Sequence, residues 1–438
     1  MFNKKTVKDI DLAGKRVILR ADYNVPLKKS HVLDDYRLKK SLPTIKYILE
    51  QNPVCLIIIS HLGRPKSDPK SAFTLFSLEP VAKDLSTLLD RKVEFATDCI
   101  GEEVSRQLDS LPQGGGIILL ENLRFHEGEE ANDPKFAQAL VDTTKAEVFV
   151  QDGFGVVHRA HATTDAITKL LPSVAGLLLE TEVSTINNVM ENPERPLLAI
   201  LGGAKIADKL ELLERFIKIA DALAIGGAMA NNFLKAEGRG IGGSLFDKAD
   251  MEETHRILKA AKTEAAKRPF AFILPVDAVV SKSIDGKSTT RVVDLASHSL
   301  ADEQAYPKMP APSSYTVAKT EAIYDLGPFS AGQITGAVEL ARTVVWNGTL
   351  GVTEAKGLAG AHAPFAHASR VVAEAIIGPH NKHPNRPFSL IGGGDTSAYI
   401  EEEGMLEDFD HVSTGGGASL ELMAGKKLPG LEALQDKD

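Results

Sequence analysis

The chain has 438 residues, 43% hydrophobic and 25% charged, a length that exceeds what one hydrophobic core usually supports and so predicts two domains. A formal net charge of −9 argues against nonspecific nucleic-acid or anionic-membrane binding as the main role, and a charged N-terminus with no apolar segment behind it argues against export or membrane insertion. With only Cys55 and Cys99 present, and Cys55 inside the apolar run Val54–Ile59, free thiols in a reducing cytoplasm fit better than a disulfide framework.

In chain order, short β-rich apolar runs fall at Val17–Leu19, Val54–Ile59, Ile117–Leu120, Val148–Val150, Leu197–Leu201, Ala222–Ile225, Ala271–Leu274, Val344–Trp346 and Ser389–Ile391. Helix-like stretches such as Phe76–Leu89, Pro134–Lys145 and Lys205–Ile219 lie between them. Continuous apolar strands alternating with amphipathic helices mean parallel sheets covered on both faces, a doubly wound α/β class. The character changes between Leu170 and Pro196, where a helix is followed by a Pro-punctuated linker. Residues 1–175 and 196–410 are therefore the expected lobes, with residues 176–195 joining them. No period of roughly 20–50 residues repeats, which excludes a solenoid.

In open α/β sheets, ligands bind beyond the carboxyl ends of the strands. In the first half those ends carry Arg37, Arg64, Arg124 and Arg159 with His61 and His158, beside Asp22 and Asn24. One such arginine is ordinarily a solvated surface residue; several on one sheet suit a small, multiply anionic substrate, because guanidinium recognises phosphate and carboxylate in bidentate fashion. In the second half, glycine turns open helices at Gly202–Gly203, Gly392–Gly394 and Gly415–Gly417. Backbone N–H groups there can approach a phosphate, although each turn alone could be a plain strand-to-helix connection. Lys205 and Lys209 are expected on one face of the helix after the first turn. Asp395 and Thr396 could offer a Mg2+ ligand or an N-terminal cap.

Several matches carry less. Gly238–Gly243 satisfies G-x-G-x-x-G but follows a helix-like stretch, and Gly286–Thr289 ends like a P-loop although Ser281 stands where the first glycine belongs. The pairs His158/His161 and His362/His367 have no cysteine partner nearby in sequence, so no transition-metal site is expected. The segment Gly357–His367 reads as a surface insertion.

Ten blocks, from Val17 to Gly430 and in the same order, resemble the phosphoglycerate kinase family: RADYNVP, SHLGRP, LLENLRFHEGEE, GFGVVHRAHAT, LGGAKIADKL, SLFD, LPVD, VVWNGTLGV, IGGGDTS and HVSTGGGASLELMAGKKLPG. The resemblance implies two Rossmann-like lobes joined by a hinge helix, with residues 411–438 returning to the N-terminal lobe. It implies that Asp22, Tyr23, Asn24, Arg37, His61, Leu62, Gly63, Arg64, Arg124 and Arg159 hold 3-phosphoglycerate or 1,3-bisphosphoglycerate. Arg37, Lys205 and Gly394 would act on the phosphoryl group in flight. Lys205, Lys209, Gly226, Gly227, Asn347, Glu354, Gly393, Gly394, Asp395 and Thr396 would face ADP or ATP, with Asp395 on Mg2+. A cytoplasmic monomer without nucleic-acid or membrane partners is implied.

The family usually sets aromatics around the glutamate where this chain has Thr353, Glu354 and Ala355; it also has Asn and Ala where Gln151 and Gly153 stand, and glycine in place of Ile323. Two rival readings remain open at this stage: a nicotinamide-dependent oxidoreductase, which shares the doubly wound pattern but would open on a glycine fingerprint rather than ADYNVP, and a metabolite-binding protein without turnover. An acyl phosphate must be shielded from water, so the lobes are expected to close over both ligands before transfer.

Overall fold

The structure, a computed structural model, describes residues 2–28, 31–65, 75–112, 114–295, 317–358, 363–378 and 386–437. Its contacts divide into two compact units, Met1–Asn187 with Gly417–Asp438, and Asn188–Gly416.

The first unit contains β1 (Arg16–Arg20), the two-stranded hairpin β2 (Leu27–Lys28) and β3 (His31–Val32), β4 (Cys55–Ile59), β5 (Val93–Phe95), β6 (Gly116–Leu119), β7 (Val148–Gln151) and β8 (Ser173–Ala175). The main sheet has the order β5-β6-β4-β1-β7-β8, and every pairing in it is parallel. Side chains alternate across a strand, so one sheet feeds two cores. Leu56 and Ile58 join the core formed with Val17, Leu19 and Leu119, while Cys55, Ile57 and Ile59 join Ile18, Ile118 and Phe149 on the other face. That is why β4 reads CLIII without a polar residue: neither face meets water.

The second unit contains β9 (Leu197–Leu201), β10 (Ala222–Ile225), β11 (Ala271–Ile273), β12 (Asp277–Ser281), β13 (Thr290–Asp294), β14 (Ala322–Leu326), β15 (Thr343–Asn347), β16 (Phe388–Gly392) and β17 (His411–Val412). Its parallel sheet runs β11-β10-β9-β15-β16-β17, and a separate antiparallel sheet runs β13-β12-β14.

The units divide between Asn187 and Asn188 and between Gly416 and Gly417, and the helix expected after Leu170 is present. Residues 411–416 belong to the second unit because β17 is hydrogen-bonded to β16, so the return to the first unit begins at Gly417 rather than at 411. Residues 177–191 form one continuous helix, Leu177–Glu191, whose N-terminal amides are held inside the first unit. Thr44 Oγ1 accepts from Leu177 N at 3.0 Å, and Asp152 Oδ1 accepts from Leu178 N at 3.0 Å. The returning C-terminus is tied down by Gly430 N donating to Val157 O, 2.8 Å, and by Lys4 Nζ donating to Leu434 O, 3.0 Å.

In each parallel sheet, successive connections leave a central pair of strands in opposite directions. The pairs are β1/β7 in the first unit and β9/β15 in the second, and beyond their carboxyl ends the loops part and leave a crevice. Small residues let the backbones meet at its base. In the second unit Gly202 N donates to Asn347 O at 2.9 Å and Gly203 N to Thr349 O at 3.1 Å. A Cβ on Gly202 would overlap the carbonyl oxygens of Gly348 and Thr349, which are backbone and cannot swing away.

Gly202→Ala should therefore lower the stability of the second unit by about 1–3 kcal/mol. Urea unfolding followed by the emission of Trp346, the chain's one tryptophan and fully buried in β15, reads this unit. Gly332→Ala, in the helix Pro328–Leu340 with nothing near its added methyl, is the control and should stay level or gain up to about 1 kcal/mol. Equal midpoints for Gly202→Ala and the parent chain would contradict the close approach.

Candidate active site

The crevice of the first unit is built on a buried arginine. Arg20 ends β1 with no exposed surface. Its Nε donates to Thr163 Oγ1 at 2.9 Å, one terminal nitrogen donates to Ala21 O at 2.6 Å, and the other lies 3.4 Å from His61 Nδ1 and 3.7 Å from Glu129 Oε1. Burying a charge costs several kcal/mol unless every proton finds a partner, so this network fixes the loops after β1, β4 and β7 in one arrangement. Burial is the largest influence on His61, and the guanidinium groups of Arg20, Arg124 and Arg37 add to it; together they outweigh Asp22 and hold the imidazole well below its ordinary range. His61 is therefore neutral, with Nδ1 free to accept from Arg20.

Asp22 follows β1 and receives Arg37 at 2.7 Å from Oδ2. Arg37 lies in the first turn of the helix Tyr36–Glu50, where a cation opposes the helix dipole, and Asp22 offsets that. Burial raises the Asp22 carboxyl, but the Arg37 guanidinium, with the Asn24 amide and Arg20, opposes it and the group lies below its ordinary value, hence ionised. Asn24 Oδ1 accepts from Gly63 N at 2.8 Å, and Gly63 O accepts from Arg124 at 2.7 Å, which links the ends of β1, β4 and β6. Gly63 sits at φ +58, and a Cβ there would overlap the ring of Phe76. Arg124 also pairs with Glu130 at 3.2 Å; burial chiefly, and the neighbouring charges of Arg20 and Arg159, lower its pKa. A guanidinium set that disfavours its own charge binds an anion readily. Arg64 and Arg159 are exposed, and Arg159 Nε donates to His158 Nε2 at 3.1 Å.

Two of the expected residues turn inward. Tyr23 is fully buried, its hydroxyl 2.9 Å from Ser41 Oγ, and the Leu62 side chain is also buried, so each supports the loops from below. Gln151 Oε1 accepts from Gly153 N at 3.1 Å, and a Cβ on Gly153 would come within 3.2 Å of the Ala21 backbone, so the glycine here permits a tight approach of β7 to β1.

In the second unit, Lys209 ends the one-turn 3-10 helix Ala207–Lys209 and folds back over the glycine turn. Its Nζ donates to Gly202 O at 2.6 Å and to Asn347 O at 3.0 Å. Burial pulls its pKa down to about 8, opposed by Asp395 and Asp208. Lys205 precedes that turn, is exposed, and does not share a helical face with Lys209 as the spacing predicts, because the α-helix begins only at Leu210. The helix Gly394–Glu402 opens after Gly393, at φ +92, with no side-chain cap on its amides. Thr396 is buried and accepts from Gly348 N at 2.6 Å, so it joins β16 to β15 rather than capping its own helix. The side-chain nitrogen of Asn347, buried and without a hydrogen-bond partner among the described residues, lies 3.1 Å from where a Gly393 Cβ would stand.

A cavity of about 190 Å³ adjoins these turns, lined by Gly203, Gly227, Thr349, Glu354 and Asp395 together with the apolar Leu234, Pro275 and Leu326. Gly226, buried, leads into Gly227, whose amide donates to Leu350 O at 3.0 Å. Thr353 and Ala355 are both buried, so the positions flanking Glu354 point into the fold, and Tyr324 supplies the aromatic surface of the cavity. The expected surface insertion Gly357–His367 is corrected in part: Phe365 has no exposed surface and packs on Tyr324 with ring centroids 5.0 Å apart. His362 lies outside the described residues.

The comparisons with known proteins agree throughout the chain. The sequence profile of the phosphoglycerate kinase family matches residues 7–426. A phosphoglycerate kinase of Dictyoglomus turgidum is 40% identical over 437 residues, covering 99% of this chain and 100% of that one. Another, from Pelotomaculum thermopropionicum, is 42% identical over 434 residues with the same coverage. Among solved structures, phosphoglycerate kinase from Coxiella burnetii superposes with a TM-score of 0.77 at 32% identity, covering 98% of each chain. The enzyme from Pyrococcus horikoshii OT3 gives 0.74 at 28% identity over 99% of this chain and 98% of that one. The chain belongs to the phosphoglycerate kinase family and is a glycolytic kinase that moves a phosphoryl group between 1,3-bisphosphoglycerate and ADP.

Proposed function

We propose that the two crevices divide this reaction by charge. In the first unit, Asp22, Asn24, Arg37, His61, Arg64, Arg124 and Arg159 receive 3-phosphoglycerate or its acyl phosphate; in the second, Lys205, Lys209, Gly226, Gly227, Asn347, Glu354 and the turn Gly393–Thr396 receive ADP or ATP. The observation that carries this reading is the chemical contrast between the strand ends: guanidinium groups crowd round the neutral His61, whereas glycine turns and an uncapped helix N-terminus surround the Lys209 ammonium. Guanidinium forks suit a small acid with a carboxylate and a phosphate, and backbone amides suit a polyphosphate.

Mg2+ fits the second unit. The Asp395 carboxylate is exposed in the first turn of Gly394–Glu402, and this ion is ordinarily held by one or two carboxylates together with substrate phosphates. When bound, it would neutralise phosphate charge. The residues of the chain do the positioning. The acceptor is a carboxylate, already ionised at neutral pH, so no general base is required. Arg37, oriented by Asp22, and the exposed Lys205 would balance charge on the transferring group, with the Gly394 amide as a further donor. Lys209 keeps the glycine turn in shape while adding a positive charge beside it. In-line transfer also needs both ligands held in a dry site, for which domain closure about the Leu177–Glu191 helix is our reading. We further read the working form as a cytoplasmic monomer, from the family resemblance and the acidic, two-cysteine composition.

A coupled assay with 3-phosphoglycerate and MgATP tests the assignment of Arg37. Arg37→Ala should lower kcat by about 10²–10³-fold while changing the nucleotide KM little, because its charge matters most in the transition state. An unchanged kcat with only weaker acid binding would refute that role.

The Lys209 ammonium gives a pH signature. With a pKa of about 8 before the nucleotide arrives and a higher value beside bound phosphates, binding above that pH must take up a proton. MgATP affinity should then fall with rising pH, by up to about tenfold per unit between the free and bound pKa values. Calorimetric titration from neutral to about pH 10 reads it, and Lys209→Arg, charged throughout, should flatten the profile. A pH-independent affinity for the parent chain would contradict the contact.

A further inference from the structure

Asp98, Cys99 and His126 meet at the carboxyl ends of β5 and β6, apart from the residues assigned to either ligand. An oxygen of Asp98, Sγ of Cys99 and a ring nitrogen of His126 all lie within 4.8 Å of one another. We propose that these three side chains form a site for a borderline-soft divalent cation such as Zn2+, with water completing a tetrahedral shell.

The donor set argues for this class of ion. Thiolate, imidazole and carboxylate together select Zn2+ or a neighbouring transition metal over Mg2+, which takes oxygen ligands. One thiolate and one carboxylate also neutralise a divalent charge, so the site need hold no net charge beside the buried Cys99. Geometry is close to what is needed. His126 Nε2 is 2.7 Å from Asp98 Oδ1, whereas tetrahedral ligands at about 2.0–2.3 Å from a metal stand roughly 3.3–3.8 Å apart. The nitrogen and oxygen must part slightly to admit an ion; Asp98 is exposed and can supply that movement.

The other two ligands are held before any ion arrives. Cys99 has no exposed surface, and Sγ donates to Glu121 O at 2.9 Å. The His126 ring stacks on Phe136 with centroids 4.9 Å apart and planes 24° apart. A sulfur and a nitrogen already held close together reduce the entropy lost on coordination. A bound ion would tie the segment after β5 to the turn Leu123–Phe125 that carries Arg124.

The proton balance is fixed. Burial holds the Cys99 thiol well above its ordinary range, so it is protonated without the ion. Binding exchanges the S–H bond for an S–metal bond and releases that proton to solvent; the proton that His126 Nε2 gives to the hydrogen bond with Asp98 shifts to Nδ1, which frees Nε2 to coordinate. Uptake therefore strengthens as pH rises.

Co2+ is the probe. Titrated into the metal-stripped full-length chain, it should bind at one equivalent with a near-ultraviolet sulfur-to-metal charge-transfer band, discharged by Zn2+ and untouched by excess Mg2+. Cys99→Ser, which keeps a donor for the Glu121 carbonyl, should abolish the band. Asp98→Asn, on an exposed side chain, and His126→Gln should each weaken affinity by at least about tenfold, the lower end for losing even an outer partner of a metal. The proposal is overturned if Co2+ gives no such band, if the band survives Cys99→Ser, or if both Asp98→Asn and His126→Gln bind as tightly as the parent.

Discussion

Every residue placed in the two crevices depends on one topological constraint. A parallel sheet whose connections leave in opposite directions from a central strand pair must open at that pair, and here the pairs are β1/β7 and β9/β15. The gap is useful only if the backbones below it approach closely. Gly153 against Ala21 does this in the first unit, and Gly202 against Gly348 and Thr349 does it in the second. The same arrangement occurs twice, and the chemistry differs because the side chains at the strand ends differ.

In the first unit the constraint is electrostatic. Positive groups crowd the strand ends, and they persist there because a buried pair, Arg20 with Glu129, and a partly buried pair, Arg37 with Asp22, absorb the cost. Such pairs add little net stability compared with an apolar core, but they define one geometry strongly, since removing either partner strands the other. In the second unit the constraint is steric: glycines at φ +96, +64 and +92, in Gly203, Gly227 and Gly393, hold turns in backbone conformations that side chains rarely adopt. One crevice therefore suits a small acid and the other a polyphosphate, as the family's reaction requires.

Much of this was legible in the sequence. Each of the nine apolar runs became a strand; in all but β11, at the sheet edge and partly exposed, burial on both faces leaves no room for polar residues, so the strand announces itself. The antiparallel sheet β13-β12-β14 did not: in β13 only Val293 is buried, a weak signal over five residues. β17 is two residues long and below any periodicity test. The arginines at the strand ends could be named from their motifs, yet Arg20, the one that organises them, looks in sequence like the polar end of an apolar run. Phe365 resembled part of an insertion because its partner, Tyr324, is distant along the chain. The meeting of Asp98 and Cys99 with His126 was invisible for the same reason, since pairing of β5 with β6 brings the two segments together.

The central claim is that the acid and the nucleotide are recognised by different units through different groups. Side-chain and backbone NMR of the full-length chain tests it with each ligand added alone. 3-Phosphoglycerate should shift the guanidinium signals of Arg37 and Arg124 and leave the amides of Gly203, Gly227 and Gly394 in place; MgADP should do the reverse. Both ligands perturbing the same set of signals would contradict the account.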